Sequence, residues 1–160
     1  MPNIAHYFSF KDCRLREVQD GDIDALVALI NEAYSYQDQA KGQPRTNPAH
    51  LRGRVAETDF YVMTHEDELI GCVYTEPKYP ALHFGLLTVV PAWRGTGLAP
   101  AIMAAIEDYA KANNYKTLEL DYMSLAPWLK TYYEKFGFQA TGQIQKWGTI
   151  DLIRMKKDLG

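Results

Sequence analysis

The first clear periodicity along the chain is the alternation of apolar and polar positions in CRLREVQ, residues 13–19, which predicts a β-strand. Behind it Ile23, Leu26, Val27, Ile30 and Ala33 recur at three- and four-residue spacing, one face of a helix, with Asp20 or Asp22 placed to cap its start. Residues 35–49, SYQDQAKGQPRTNPA, are polar and broken by Gly42, Pro44 and Pro48, so they read as a loop, followed by a short helix around His50 to Ala56. DFYVMTHEDELIGCVYTE predicts a β-hairpin, because two runs rich in Val, Tyr and Ile flank the turn-forming His65 to Glu68. LHFGLLTVV, residues 82–90, is almost continuously apolar, the pattern of a central strand.

After a glycine-punctuated turn, Leu98, Ile102, Ile106 and Tyr109 again mark a helical face that ends near Asn113 and Asn114. KTLELDY predicts a strand and APWLKTYYEKF a helix closed by Gly137; FQATGQIQ and TIDLIRMK are two alternating strands joined through Lys146, Trp147 and Gly148. The order β-α-α-β-β-β-α-β-α-β-β predicts an α/β fold, a mixed sheet with helices on its faces. Ligands of such sheets favour the carboxyl ends of strands, which directs attention to the turn after residue 90.

Composition changes this picture in three ways. A chain of 160 residues with 47% apolar and 23% charged positions suits one globular domain spanning residues 1–160. A net charge of −3 argues against a nucleic-acid partner and toward a small-molecule or peptide one. Cys13 and Cys72 show neither C-x-x-C spacing nor a Cys/His pattern for zinc, so no metal is expected and both read as reduced thiols. The amino-terminal residues lack the pattern of a secretory leader, and no run is long and apolar enough to span a membrane, so a soluble, cytoplasmic protein without membrane partners is expected.

The turn, VVPAWRGTGLAPAIM, residues 89–103, carries the first chemistry. A helix start leaves backbone amides without acceptors and carries about half a positive charge, so it attracts phosphate. Gly95 and Gly97 let a ligand approach the main chain, Arg94 adds a charged donor, and Pro100 sits where a missing N–H costs least. The P-loop pattern is absent, and the dinucleotide pattern G-x-G-x-x-G fails at Pro100.

The wider spacing, Val89-x-Pro91 followed by Arg94-x-x-Gly97-x-Ala99, resembles the acetyl-CoA-binding motif of the GNAT superfamily of N-acetyltransferases. Tyr133-x-Lys135-x-Gly137-Phe138 resembles the later Y-x-K-x-G-F signature of the same superfamily, and the two motifs together extend the resemblance over essentially the whole chain. The resemblance implies a mostly antiparallel sheet of six or seven strands with about four helices, and acetyl-CoA as cosubstrate. It implies a pyrophosphate cradle at Arg94, Gly95, Thr96, Gly97, Leu98 and Ala99, with pantetheine paired to the main chain of Leu87 and Val89. It also implies a wedge near residues 118–122 that admits the cofactor arm.

Acetyl transfer to an amine needs a proton for the leaving thiolate, a polarised carbonyl and a deprotonated amine. By motif position Tyr133 matches the family's general acid, with Tyr132 its rival, and a main-chain N–H near Leu87 would polarise the carbonyl. For the base, His83 ranks first, since period-two counting puts it on the face of Leu87 and imidazole titrates near neutrality; Glu76 and Asp121 are alternatives. Ala126 stands where many relatives carry asparagine, seven positions before the tyrosine.

The family's acceptor groove maps onto residues 31–58 and 142–152, where Tyr34, Tyr36 and Gln37 at the helix end and Arg45 in the loop are the candidate substrate contacts. Tyr61, Tyr74 and Tyr79 suit either core or groove, and Lys111, Lys130 and Lys135 either solvent or CoA phosphates. The leading reading is direct acetyl transfer to a primary amine. The competing one is a non-catalytic acyl-CoA sensor or docking module, which Tyr133 argues against. A sheet ending in alternating strands also offers an edge on which a second copy could pair, giving a homodimer.

Overall fold

The computed structural model describes residues 3–160. Seven strands form one mixed sheet: β1 (Cys13–Glu17), β2 (Asp59–His65), β3 (Glu68–Lys78), β4 (Ala81–Val89), β5 (Thr117–Met123), β6 (Gln139–Trp147) and β7 (Ile150–Asp158). Five α-helices accompany them: α1 (Ile23–Ala33), α2 (Asp38–Lys41), α3 (Pro48–Glu57), α4 (Leu98–Ala112) and α5 (Trp128–Glu134). The spatial order is β1-β2-β3-β4-β5-β7-β6, with β4 and β5 parallel and every other neighbour antiparallel. The last hairpin therefore docks through its second strand, and β6 is left as an edge.

The strand alternation sorts side chains onto two cores. On one face Phe60, Val62, Cys72 and Leu86 meet Ile23, Leu26 and Ile30 of α1 and Leu51 of α3. On the other, Met63, Leu82, Phe84, Leu118 and Leu120 meet Leu98, Ile102 and Ile106 of α4. The predicted faces of both long helices are thus the buried ones, and removing a fully buried side chain such as Ile102 by an Ile→Ala change costs about 2–5 kcal/mol.

Two local expectations are corrected. The carboxylate of Asp22 does not cap α1; it turns back to the preceding turn, where it accepts from Gln19 N at 2.8 Å and from Arg16 at 2.8 and 3.0 Å, so both oxygens are already engaged. The stretch expected as plain loop folds a short turn at Ser35–Gln37 and the single helical turn α2, stopped by Gly42 at φ 73°.

The sheet is interrupted at its centre. Gly71 pairs with Val89 and Cys72 with Thr88, but Tyr74 pairs with Gly85, so Leu86 and Leu87 together oppose Val73. This is a β-bulge, with Leu86 at φ 50° and its carbonyl accepting from Thr88 Oγ1 at 2.8 Å and Cys72 Sγ at 3.4 Å. Just before the bulge β4 leaves β5: their parallel pairing covers only Ala81–Thr117, Leu82–Leu118 and His83–Glu119. The carboxyl halves of the two strands diverge, and the gap between them runs from one face of the sheet to the other.

Candidate active site

Two cavities meet at this gap. The larger, about 870 Å³, runs from the gap to the glycine turn and is walled by Leu87, Val89, Arg94, Gly95, Gly97, Leu98 and Ala99. The smaller, about 350 Å³, lies on the α3 side and is walled by Tyr74, His83, Asp121 and Arg154, with Trp147 closing it from β6. Tyr34, Tyr36, Leu87, Leu129 and Tyr133 belong to both walls.

The glycine turn has the form of an anion cradle. Backbone bonding leaves off at Arg94 N, which reaches Pro91 O at 3.2 Å, and resumes at Ala101 N, which reaches Gly97 O at 3.1 Å. Between them the amides of Gly95, Thr96 and Gly97 have no backbone acceptor, and those of Leu98 and Ala99 open α4. Gly95 and Gly97 hold φ values of 76° and 98°, a region that disfavours any Cβ. A diphosphate fits these donors, and the apolar walls toward Leu87 fit a pantetheine arm.

The side chains flanking the cradle are less free than the sequence suggests. Arg94 donates from Nε to Val89 O at 3.0 Å and from a terminal nitrogen to Glu32 at 3.1 Å. The Thr96 hydroxyl donates to Trp93 O at 2.6 Å, fixing the turn from within rather than walling the cavity. Trp93 and Trp128, which the sequence does not assign to the cleft, line it as well, beside Tyr132, the rival general acid. Lys111 and Lys130 pair with Glu107 and Glu134 along their own helices.

Tyr133 reaches the junction from α5, its ring edge-on to Tyr132 at 5.3 Å and to Phe138 at 6.0 Å. Burial, and then the neighbouring Tyr132 and Tyr36, push its phenol well above the usual range, so it stays a proton donor. Tyr132 lines only the larger cavity. Ala126 is fully buried; its N–H donates to Met123 O at 2.9 Å and its carbonyl accepts from Leu129 N at 3.0 Å, so the backbone starts α5 without a side-chain amide.

His83 lies in the smaller cavity, 5% exposed, with Nδ1 2.8 Å from Glu119 Oε2 and its ring stacked on Tyr74. Glu119 is itself held by Arg154 at 3.4 Å and Lys156 at 3.9 Å. Burial lowers the imidazole's proton affinity, against the upward pull of the Glu119 hydrogen bond, so the neutral ring is favoured. With Glu119 accepting at Nδ1, Nε2 is the nitrogen left to take a proton.

The face count that selected His83 is corrected. Leu82 and Phe84 point toward α4, and so do Leu87 and Val89, while Leu86 points toward α1. The extra residue of the bulge therefore puts the His83 and Leu87 side chains on opposite faces of the sheet. Both still border the smaller cavity, because the gap passes through the sheet.

Of the other bases considered, Glu76 lies 3.8 Å from Lys78, and Asp121 receives Arg154 at 2.9 and 3.2 Å. Gln37, expected beside the acceptor, is buried and donates to Gln43 O at 3.1 Å instead. Tyr61 is core and Tyr79 is 65% exposed, whereas Tyr74, Tyr34, Tyr36 and Arg45 all line the smaller cavity. Arg54, His50 and Glu119 were not singled out from sequence; only the parallel register of β4 and β5 reveals the last of them.

Residues 30–159 match the family described as acetyltransferase (GNAT) domain. The chain belongs to this family. Among solved structures, the GNAT fold recurs in the ribosomal-protein-S18-alanine N-acetyltransferase of Escherichia coli, at 16% identity and TM-score 0.72, covering 92% of this chain and 94% of that one. It recurs in the PaiA N-acetyltransferase of Thermoplasma acidophilum, solved in complex with coenzyme A, at 12% identity and TM-score 0.72, covering 92% and 99%. A spermidine N-acetyltransferase SpeG chimera from Vibrio cholerae and hSSAT is similar at 21% identity and TM-score 0.70, covering 93% and 96%. No curated protein matches the chain. Among the described residues no helix is long and apolar enough to cross a membrane, and no cluster of three His, Cys, Asp or Glu side chains forms a metal site.

Proposed function

We propose that this GNAT protein moves an acetyl group from acetyl-CoA to a primary amine by direct attack. The observation that carries the reading is the meeting of two cavities at Tyr133, one leading to the amide cradle and the other to His83. Acetyl-CoA supplies the thioester whose C–S bond breaks as the amine nitrogen bonds to the carbonyl carbon.

The chain's own groups account for the rest. The free amides of Gly95, Thr96, Gly97, Leu98 and Ala99 hold the diphosphate, and the bulge turns the Leu87 main chain toward the gap, where an N–H can polarise a carbonyl. His83 Nε2 receives the proton of the attacking amine, directly or through one water, while Glu119 fixes the tautomer. Tyr133 gives its phenolic proton to the departing sulfur, a role its high proton affinity suits. Cys72 is buried and its thiol is pushed up to about 12, which suits a mechanism without an acetylated cysteine.

A thiol-release assay with acetyl-CoA and a panel of amines tests this. Turnover with at least one amine, falling by about 10²-fold in Tyr133→Phe while CoA binding persists, is the expected result. Binding of CoA with no turnover for any amine would overturn it in favour of an acyl-CoA sensor.

A further inference from the structure

The smaller cavity carries a charge imbalance that acetyl transfer does not use. Its acids already have bases: Glu76 lies 3.8 Å from Lys78, and Asp121 lies 2.9 Å from Arg154. Arg45 and Arg54, which also wall it, have no carboxylate within salt-bridge distance among the described residues. Arg45 Nε is buried without any hydrogen-bond partner.

What surrounds these guanidinium groups is aromatic. Arg45 stands 5.8 Å from the Tyr34 ring centre and 5.0 Å from that of Trp147, and Arg54 stands 5.3 Å from that of Tyr74. Aromatic faces orient a guanidinium and tolerate its charge, but they satisfy none of its N–H donors. Burial lowers the proton affinity of Arg45, and the neighbouring Arg54 charge adds in the same sense. Two half-buried guanidinium groups walling one cavity, one of them with a buried unpartnered Nε, are matched by a planar or tetrahedral oxyanion, and an ammonium would be repelled there.

Resting on the acetyltransferase reading of this site, we infer that the acceptor is a small amine that also carries an oxyanion, a carboxylate or a phosphate. Arg45 and Arg54 bind the oxyanion, and the amine is left to face His83 and the gap. The size of the cavity, about 350 Å³, suits a molecule of amino-acid dimensions. Polyamines are selected against, whatever the likeness of fold to a spermidine acetyltransferase.

The test is a set of matched amines in the thiol-release assay: alanine against ethylamine, phenylalanine against phenethylamine, O-phosphoethanolamine against ethanolamine, and spermidine. The expected result is that at least one anionic member exceeds its neutral partner by about tenfold or more in kcat/KM. That preference should collapse in Arg45→Gln and Arg54→Gln chiefly through KM, and return in part in Arg45→Lys. The two anionic arms decide between carboxylate and phosphate.

Equal or better use of the neutral partners, or spermidine as the best acceptor, overturns the inference and leaves acetyl transfer standing. Should no amine release thiol, the acetyltransferase reading fails. Calorimetric titration of phenylalanine and O-phosphoethanolamine into the wild-type protein and Arg45→Gln then decides the matter separately: binding lost in Arg45→Gln supports an oxyanion site, and binding that is absent or equal in both overturns it.

Discussion

His83 and Glu119 face each other across the last paired position of the parallel strands, Nδ1 to Oε2 at 2.8 Å, immediately before β4 and β5 part. The pair fixes an imidazole at the edge of the gap in its neutral form, with one nitrogen anchored and the other available. His83→Ala is expected to lower kcat by about 10²-fold or more while leaving CoA affinity unchanged, measured by steady-state kinetics and calorimetry. Glu119→Gln should lower kcat less and alter its pH profile, because the anchor is weakened without loss of the ring.

The same histidine predicts a direction in pH. Burial disfavours the imidazolium, so the folded chain gives up this proton below the ordinary 6.5 and the competent base is in place above that value. The acid limb of kcat should therefore fall below pH 6.5. The unfolded chain binds the proton first, so His83 should also cost stability as pH drops below 6.5, a component absent from His83→Gln when melting is followed against pH.

Tyr133 predicts the opposite limb. Its phenol is held protonated beyond the ordinary 10.0, so kcat should show no alkaline decline at or below pH 10 that Tyr133→Phe removes. An alkaline limb near pH 8 or 9 that vanishes in Tyr133→Phe would contradict this assignment.

Glycines next to the bulge separate the two cavities experimentally. A Cβ on Gly85 would lie 2.6 Å from Tyr74 Oη, so Gly85→Ala displaces a ring of the smaller cavity and should raise acceptor KM while CoA affinity holds. A Cβ on Gly71 would lie 2.5 Å from the Thr88 carbonyl, where only backbone can yield. Gly71→Ala should cost about 1–3 kcal/mol by chemical denaturation and distort the bulge itself.

Cysteine chemistry offers a negative control. Cys72 is fully buried with its thiol pushed up to about 12, and Cys13 is half-buried with its thiol also raised, chiefly by burial. Mass spectrometry after iodoacetamide at pH 8 should find Cys72 unmodified in the folded protein, and replacement of Cys13 by Ser should leave kcat unaltered.

How much of this was legible beforehand depended on whether the signal was local. The helical faces of Ile23, Leu26 and Ile30 and of Leu98, Ile102 and Ile106 stand in the residue spacing, since burial on one side of a helix imposes it. The cradle amides follow from two glycines at positive φ before a helix, again a local matter. His83 was reached through an alternation that Leu86 breaks; nothing in LHFGLLTVV marks which residue is the extra one. Glu119 and Arg54 acquire meaning only from pairing and packing between distant segments, which one sequence does not display.

The single surplus residue in β4 acts as a doorway in an otherwise continuous wall. Were Leu86 deleted, the pleat would return to strict alternation, Leu87 and Val89 would keep the face of Leu82 and Phe84, and the strand could stay zipped to β5 beyond Glu119. Both signature stretches would survive such a deletion intact, yet the thoroughfare between donor and acceptor would be closed.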